Sequence, residues 1–195
     1  MLGLINRAIQ CFVRDTYGED IWAGVARGAA LDGVGFEAML FYDDTLTDQV
    51  LDQVVRLLNK PRDEVLEDIG TYLVSHPNVE SLRRLLRFGG VDFREFLHSL
   101  DDLPDRARMA VADLELPRLE LHDDGESCLH LHVRATRDGF GPVMLGVLRT
   151  MADDYGALVF LGLRHRGPGD DVIDIALLET AFAEGRSFTL SAGRG

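Results

Sequence analysis

The stretch CLHLHVR, which begins at Cys128, holds the densest group of side chains that could bind a metal. In a strand, Cys128, His130 and His132 would share one face, and thiolate and imidazole are typical zinc ligands. One strand supplies two or three ligands at most, so a closed site would need His122 or His165 from paired strands. A solvent-facing polar row is the simpler interpretation, and we prefer it to a zinc site.

The opposite face of the same stretch is apolar. Leu129, Leu131, Val133 and Ala135 would point inward together, and this row stays apolar until Arg137. A strand with one apolar and one polar face is typical of an antiparallel sheet that covers a core on one side only. We therefore expect the inward row to border any interior site.

A proline occupies an inward position in the helical part of the chain. The apolar residues before it recur at helical spacing, which extrapolates to Pro104: Phe93, Phe96, Leu97 and Leu100. Proline costs roughly 3 kcal/mol in the middle of a helix but little in the first turn of a new one. We therefore predict that the helix breaks near residues 101–103 and restarts, with Asp101 and Asp102 as candidate caps.

The remaining polar residues form no catalytic motif. The sequence contains no glycine-rich phosphate loop, no Gly-x-Ser-x-Gly elbow and no His-Glu-x-x-His pair. His76 and His98 are expected on solvated faces, and paired aspartates such as Asp170 and Asp171 have the spacing of turns and caps. We therefore predict that the domain is not an enzyme.

Composition limits the class of protein. The 195 residues are 46% hydrophobic and carry a formal net charge of −13, and the arginines are scattered among acidic residues. Nucleic acids and anionic membranes bind concentrated basic surfaces, so neither is an expected partner. Two distant cysteines, Cys11 and Cys128, provide no disulfide framework, and the N-terminal segment is too polar for a signal peptide. We expect a cytoplasmic protein with reduced thiols.

The elements that position these residues change in kind at Pro117. Before it, apolar residues recur with helical spacing in successive segments, which end at signals such as Pro61 and the glycines at 89–90. After it come two alternating hairpins with turns at 124–125 and 167–169, and a helical segment lies between them. The predicted fold class is α+β: a helical N-terminal half followed by a small antiparallel sheet with one inserted helix.

The order of several motifs resembles one known family. The opening MLGLINRAIQCFVRDTYGEDIW is similar to the start of the haem nitric-oxide/oxygen-binding (H-NOX) family. Further similar stretches follow along nearly the whole chain: FYDDTLTDQV, LLNKPRDEVLEDIGTYLV, LRFGGVDFREFLHSLDDL and LHLHVRATRDGFGPVMLGVLR. The resemblance implies the H-NOX fold in a single domain over residues 1–195, with a distal helical subdomain (1–60) and a proximal subdomain (61–195).

The resemblance also implies a cofactor and a role. Members of the family hold haem b between the two subdomains, bind its iron through one histidine and bind its propionates through a Tyr-x-Ser-x-Arg motif. Gas binding at the iron then acts on a protein partner, commonly a cyclase, a histidine kinase or a cyclic-dinucleotide enzyme. The family domain is a sensor and is not itself catalytic.

This chain departs from the family at the residues that bind haem. The family histidine follows a Leu-Asp-x-Leu run, and here LDDL is followed by Pro104, which has no donor atom for iron. The Tyr-x-Ser-x-Arg motif falls on Val133, Ala135 and Arg137, so only the arginine is retained. Apolar residues at or near positions that line the family's haem cavity are kept: Ile5, Leu73, Phe96, Leu100 and Val143.

We therefore predict a sensory or regulatory H-NOX protein without conventional histidine-ligated haem, which acts through protein contacts or binds another apolar ligand. Apolar burial, at about 25 cal/mol per Å², still favours a macrocycle, but the lost iron bond and hydrogen bonds, each about 1 kcal/mol or more, oppose tight binding. Two alternatives remain open. The protein could bind haem through a substitute ligand, or it could carry a hydrophobic small molecule.

Overall fold

The computed structural model describes residues 1–31, 35–125 and 127–178. Within them the helical half contains α1 (Gly3–Tyr17), α2 (Glu19–Gly28), α3 (Asp44–Leu58), α4 (Arg62–Ser75), α5 (Glu80–Arg87), α6 (Phe93–His98) and α7 (Leu103–Ala110). The second half contains β1 (Arg118–Asp123), β2 (Cys128–Arg134), α8 (Phe140–Tyr155), β3 (Val159–Gly167) and β4 (Asp170–Leu177). The predicted α+β architecture, a helical half followed by two hairpins with a helix between them, is confirmed.

Local signals explain where several helices begin and end. The carboxylate of Asp43 accepts a hydrogen bond from the backbone N–H of Thr45 at 2.8 Å and so caps α3. The same helix ends at Asn59, which adopts the left-handed conformation with φ 51°. Asp92 caps α6 by accepting from the backbone N–H of Glu95 at 2.9 Å. Each of these contacts joins residues only two or three positions apart, so the local sequence is sufficient to form it.

The four strands form one antiparallel sheet in the order β1-β2-β4-β3. The two predicted hairpins, β1–β2 and β3–β4, are both present, and β2 pairs with β4 to join them. In β2 the buried residues alternate as predicted, because Leu129, Leu131 and Val133 are fully buried while their neighbours are not. The sheet therefore covers the core with one face, and β1 and β3 form its two edges.

The backbones of helices α4 and α8 are in direct contact. A Cβ atom added to Gly70 would lie 2.0 Å from the carbonyl oxygen of Val143, and one added to Gly146 would lie 2.1 Å from that of Glu67. Only glycine fits at contacts this close. This contact joins the helical half to the sheet-bearing half, because α8 also packs against β3 and β4.

The buried apolar residues form two clusters. One lies between the sheet, α6 and α8, and includes Phe96, Leu148 and Ile173. The other joins α1, α2, α3 and the first part of α4, around Trp22 and Ile69. Burial of each large apolar side chain contributes about 1.5–3 kcal/mol. We refer to these as the sheet-side core and the helix-side core.

Candidate functional site

The helix that precedes Pro104 breaks where the sequence predicts. α6 ends at His98, a 3₁₀ turn covers Ser99–Asp102, and α7 begins at Leu103 with Pro104 in its first turn. The predicted caps are wrong: the Asp102 side chain makes no cap hydrogen bond. The carboxylate of Asp101 instead accepts from the backbone N–H of Leu121 at 2.9 Å, so it fixes the turn against β1.

The 3₁₀ turn also changes which residue continues the apolar stripe. In a 3₁₀ turn residues three apart lie on the same side, so Leu103 follows Leu100 into the sheet-side core. Pro104 is buried as well, but it borders an open cleft of about 470 Å³ between α7 and the start of β1. The prediction that Pro104 continues the apolar stripe is therefore wrong by one residue, because Leu103 takes that place.

The structure places the inward residues of β2 in two different environments. Val133 is fully buried in the sheet-side core, opposite Leu119 on β1, and Leu100 belongs to the same cluster. Ala135 lies beyond the end of β2 and is half-buried, and its backbone N–H donates to the carbonyl of Gly169 at 2.8 Å. Position 135 therefore closes the end of the sheet against the second hairpin.

The other predicted lining residues lie on the helix side. Leu73 and Val143 are half-buried and pack against the helix-side core, and Ile5 on α1 is half-buried. The structure thus divides the predicted lining between a fully buried group, Leu100 and Val133, and a half-buried group. Neither the cavity beside Pro104 nor the cavity beside Arg137 is lined by residues of these two groups.

Arg137, the retained arginine, is held by carboxylates of the chain itself. Its side chain is 17% exposed; its Nη2 lies 3.0 Å from Oδ1 of Asp48, and its Nη1 lies 3.5 Å from Oδ1 of Asp44. Asp48 also pairs with Arg62 at 2.8 Å. Nη1 of Arg137 is buried without a hydrogen-bond partner in the described structure. Ion pairs of the Arg137 guanidinium therefore connect the loop after β2 to α3.

A polar cavity of about 680 Å³ opens beside this arginine. Its charged lining comes from α3, α4, the loop after β2 and the second hairpin: Asp44, Asp48, Arg62, Asp63, Arg137, Asp138, His165 and Asp171. Acidic residues outnumber basic ones in this lining. Opposite charges already pair within it, so the lining is an ionic network with an excess of acidic residues.

His165 and Asp171 extend the network to the sheet. Nδ1 of His165 lies 2.7 Å from Asp171, and its Nε2 lies 3.1 Å from Asp63 on α4. The carboxylate of Asp171, and to a smaller extent that of Asp63, raises the pKa of the His165 imidazole above its ordinary value. The sequence interpretation of Asp171 as a solvated turn residue is wrong, because it is only 5% exposed. A Cβ on Gly141 would lie 2.2 Å from Oδ2 of Asp171, so the carboxylate fills the space that this glycine leaves.

The histidine row on β2 forms no metal site. Among the described residues no group of three or more His, Cys, Asp or Glu side chains could hold a metal ion. His130 instead lies 2.7 Å from Asp174, and the rings of His122 and His132 meet edge to face with centroids 4.6 Å apart. Burial, and then the nearby His122, lower the pKa of His132.

The two histidines of the helical half also have other partners. His98 is exposed, as predicted, with Nε2 3.8 Å from Asp123. His76 is half-buried and stacks on Tyr72 with ring centroids 4.8 Å apart, so it is less solvated than predicted. Position 104 supplies no donor atom, and positions 133 and 135 supply no hydroxyl. These are the three positions that the resemblance assigns to the iron ligand and to the two hydroxyls of the propionate motif.

The fold is an α+β domain in which a helical half packs against a half that carries the sheet. The chain matches the haem-NO-binding family model over residues 2–159, so it belongs to the H-NOX family, a family of haem-based NO and O₂ sensor domains. The family and fold predicted from the sequence are confirmed. No helix in the described residues has the length and apolarity needed to cross a bilayer.

Curated relatives include soluble guanylate cyclases of Caenorhabditis elegans. The chain is 25% identical to gcy-31 over 154 residues, which is 79% of this chain and 22% of that protein. It is 28% identical to gcy-34 over 156 residues, 78% of this chain and 23% of the relative. The chain therefore spans about a fifth of the length of the curated relatives it matches.

Solved H-NOX structures share the fold at low sequence identity. The Fe(II) unliganded H-NOX protein from K. algicida superposes with a TM-score of 0.79 at 18% identity, and the match covers 93% of this chain and 98% of the other. The Fe(II)NO form of an H-NOX protein from S. oneidensis gives a TM-score of 0.76 at 16% identity, over 92% of this chain and all of the other.

Proposed function

We propose that this H-NOX domain is a non-catalytic regulatory domain that works without conventional histidine-ligated haem. Its output would pass through protein contacts or through another apolar ligand. The relatives that are guanylate cyclases suggest a signalling enzyme as the partner class, whether a cyclase, a histidine kinase or a cyclic-dinucleotide enzyme. We also propose that the protein is cytoplasmic and forms one domain with subdomains at 1–60 and 61–195.

The pairing of Arg137 is the observation that carries this proposal. By family analogy Arg137 would bind the haem propionates, yet Asp48 and Asp44 already lie at its guanidinium. Nη1 of Arg137 has no hydrogen-bond partner, but a propionate that bound there would lie close to both carboxylates. Like charges at such distances repel each other, so the ion pairs oppose cofactor binding at the one haem contact that the sequence retains.

The iron position supports the same conclusion. A proline at 104 removes the coordinate bond, and each histidine of the chain contacts a carboxylate or another ring: His76, His98, His122, His130, His132 and His165. A substitute ligand would require one of them to leave its partner and the local backbone to refold. Without an iron ligand, gas binding cannot be transmitted through a histidine-bearing helix as in the rest of the family.

Titration with hemin tests the proposal. The wild-type protein and the control variant Pro104→Ala are expected to give no stoichiometric Soret band of histidine-ligated haem. Pro104→His, together with Val133→Tyr and Ala135→Ser, should restore such a band if the site can open. A stoichiometric band in the wild-type protein that is lost in a His→Ala variant would contradict the proposal and identify a substitute ligand.

The role of the ion pairs can be tested in the same background. Asp48→Asn added to the triple variant should lower the hemin Kd about three- to tenfold, because the charge of Arg137 becomes available to a propionate. Arg62 keeps Asp52 as a partner at 2.7 Å, so the local structure is retained. Native mass spectrometry of the purified wild-type protein distinguishes a bound apolar molecule from a protein without ligand.

A further inference from the structure

Strand β3 lies at one edge of the sheet, and the first half of this strand is apolar. Residues 157–163 read ALVFLGL and contain no charge. Leu158 and Phe160 on the outer face are 69% and 67% exposed, while alternate residues pack against the sheet-side core. Among the described residues β3 pairs with β4 only, so its outer edge has no strand partner there.

The other edge of the sheet shows how such an edge is normally protected. β1 reads RLELHD, and Arg118, Glu120 and Asp123 place charges along it. The second half of β3 is protected in the same way, by Arg164 and Arg166, and a register shift between 165 and 167 interrupts the ladder. Charges and bulges hinder pairing with another chain. The first half of β3 has neither device, so within the described part of the chain it is the unprotected segment of the sheet edge.

The hydrogen bonds show which residues face outward along the edge. The backbone N–H of Leu178 donates to the carbonyl of Leu158 at 2.9 Å, so the even-numbered residues of β3 bond toward β4. In an antiparallel ladder the alternate residues point the other way. Val159, Leu161 and Leu163 therefore direct their N–H and C=O groups to the open edge.

We infer that this edge pairs with the same edge of a second copy of the chain. In an antiparallel register centred on Phe160, each Phe160 lies opposite its copy, Leu158 lies opposite Gly162, and Val159 lies opposite Leu161. The exposed side chains of the two copies then lie opposite each other. The outward N–H and C=O groups of the odd-numbered residues form hydrogen bonds between the copies. The two sheets become one eight-stranded sheet with twofold symmetry, the common form of a homodimer.

Side-chain fit favours a second copy as the occupant. An added Cβ on Gly162 would find only Cε1 of Phe160, at 3.8 Å, within 4 Å, so there is open space for Leu158 of the other copy. In this register Arg164 lies opposite Gly156, so the arginines of the two copies do not meet. The surface is therefore complementary to itself. The inference does not depend on whether haem is bound.

Sedimentation of the full chain from about 1 µM to about 1 mM tests the inference, a range that covers weak and moderate dimers. The expected result is a monomer–dimer equilibrium with no larger species. Phe160→Lys and Phe160→Glu should each raise the dimer dissociation constant about tenfold or more, because like charges then lie opposite each other. An equimolar mixture of the two variants should restore the dimer, since Lys and Glu meet at the twofold axis.

Phe88→Lys is the matched control, because Phe88 is 86% exposed and lies outside the sheet. It should leave the dissociation constant unchanged. A wild-type protein that stays monomeric throughout, or a dimer that both Phe160 variants leave intact, would overturn the inference. Open-ended aggregation in place of a dimer would overturn it as well. Circular dichroism of each variant confirms that a lost dimer does not reflect lost folding.

Discussion

The two sides of the predicted haem cavity differ in how far they are packed. On the sheet side, Leu100 and Val133 are fully buried among apolar neighbours, as in any protein core. On the helix side, Ile5, Leu73 and Val143 are only half-buried. The comparison shows that the sheet side, which includes Leu100 and Val133, is packed as structural core. The other side keeps apolar surface that is not fully packed.

Truncation on each side gives the largest expected contrast. Leu100→Ala removes a fully buried side chain, so the free energy of unfolding should fall by about 3–4 kcal/mol. Leu73→Ala should lower it by about 1–2 kcal/mol, because this half-buried side chain loses less apolar contact on truncation. Urea denaturation at constant pH measures both. Equal losses at the two positions would contradict the difference in packing between the two sides.

The contact between the two halves gives the next effect. Gly70→Ala places a methyl group against the Val143 carbonyl oxygen, so α4 and α8 must move apart. We expect a loss of about 1–3 kcal/mol in the free energy of unfolding, even though alanine favours a helix. Gly167→Ala is the control, since an added Cβ there meets open space. A Gly70→Ala protein as stable as the wild type would show that this contact is not tight.

The ionic network at Arg137 should contribute less than either core. Arg137→Met keeps the aliphatic stem and removes the charge that pairs with Asp48 and Asp44, and should cost about 1–2 kcal/mol. Arg118→Met removes an exposed arginine that pairs with Glu120, and should cost below about 0.5 kcal/mol. Thermal unfolding at two salt concentrations checks both. A smaller loss for Arg137 than for Arg118 would contradict the assigned role of the network.

The smallest effect concerns pH. Asp171 and Asp63 raise the pKa of His165 in the folded protein, so its contribution to stability is fully present below about pH 6.5 and is lost as the pH rises through the folded value. His165 is exposed, so the change should stay below about 1 kcal/mol. An NMR titration should place His165 above the ordinary histidine pKa, and Asp63→Asn should lower it. The opposite order would contradict the geometry.

Short-range features of this fold could be predicted from the sequence. The alternation in β2, the hairpin turns and the helix break at Pro104 depend on residues a few positions apart. The register of the stripe beyond Leu100 could not be predicted, because it depends on a 3₁₀ turn that the α-helical period does not describe. A shift of one residue was enough to exchange Leu103 and Pro104 at the core.

Long-range features of the site could not be predicted in this way. Arg137 and Asp48 are 89 positions apart, and His165 and Asp63 are 102 positions apart. Asp48, Asp63 and His165, taken alone, have the pattern of solvated surface charges. The burial of Asp171 depends on the space left by Gly141, which becomes visible only when α8 is placed on the sheet.

The visible absorption spectrum of the wild-type protein, expressed with haem supplied and purified under reducing conditions, tests the central claim most directly. The absence of a histidine ligand at position 104 and the pairing of Arg137 predict no Soret band of five-coordinate histidine-ligated haem, and no spectral change on addition of NO. A stoichiometric ferrous Soret band that shifts when NO is added would contradict the account.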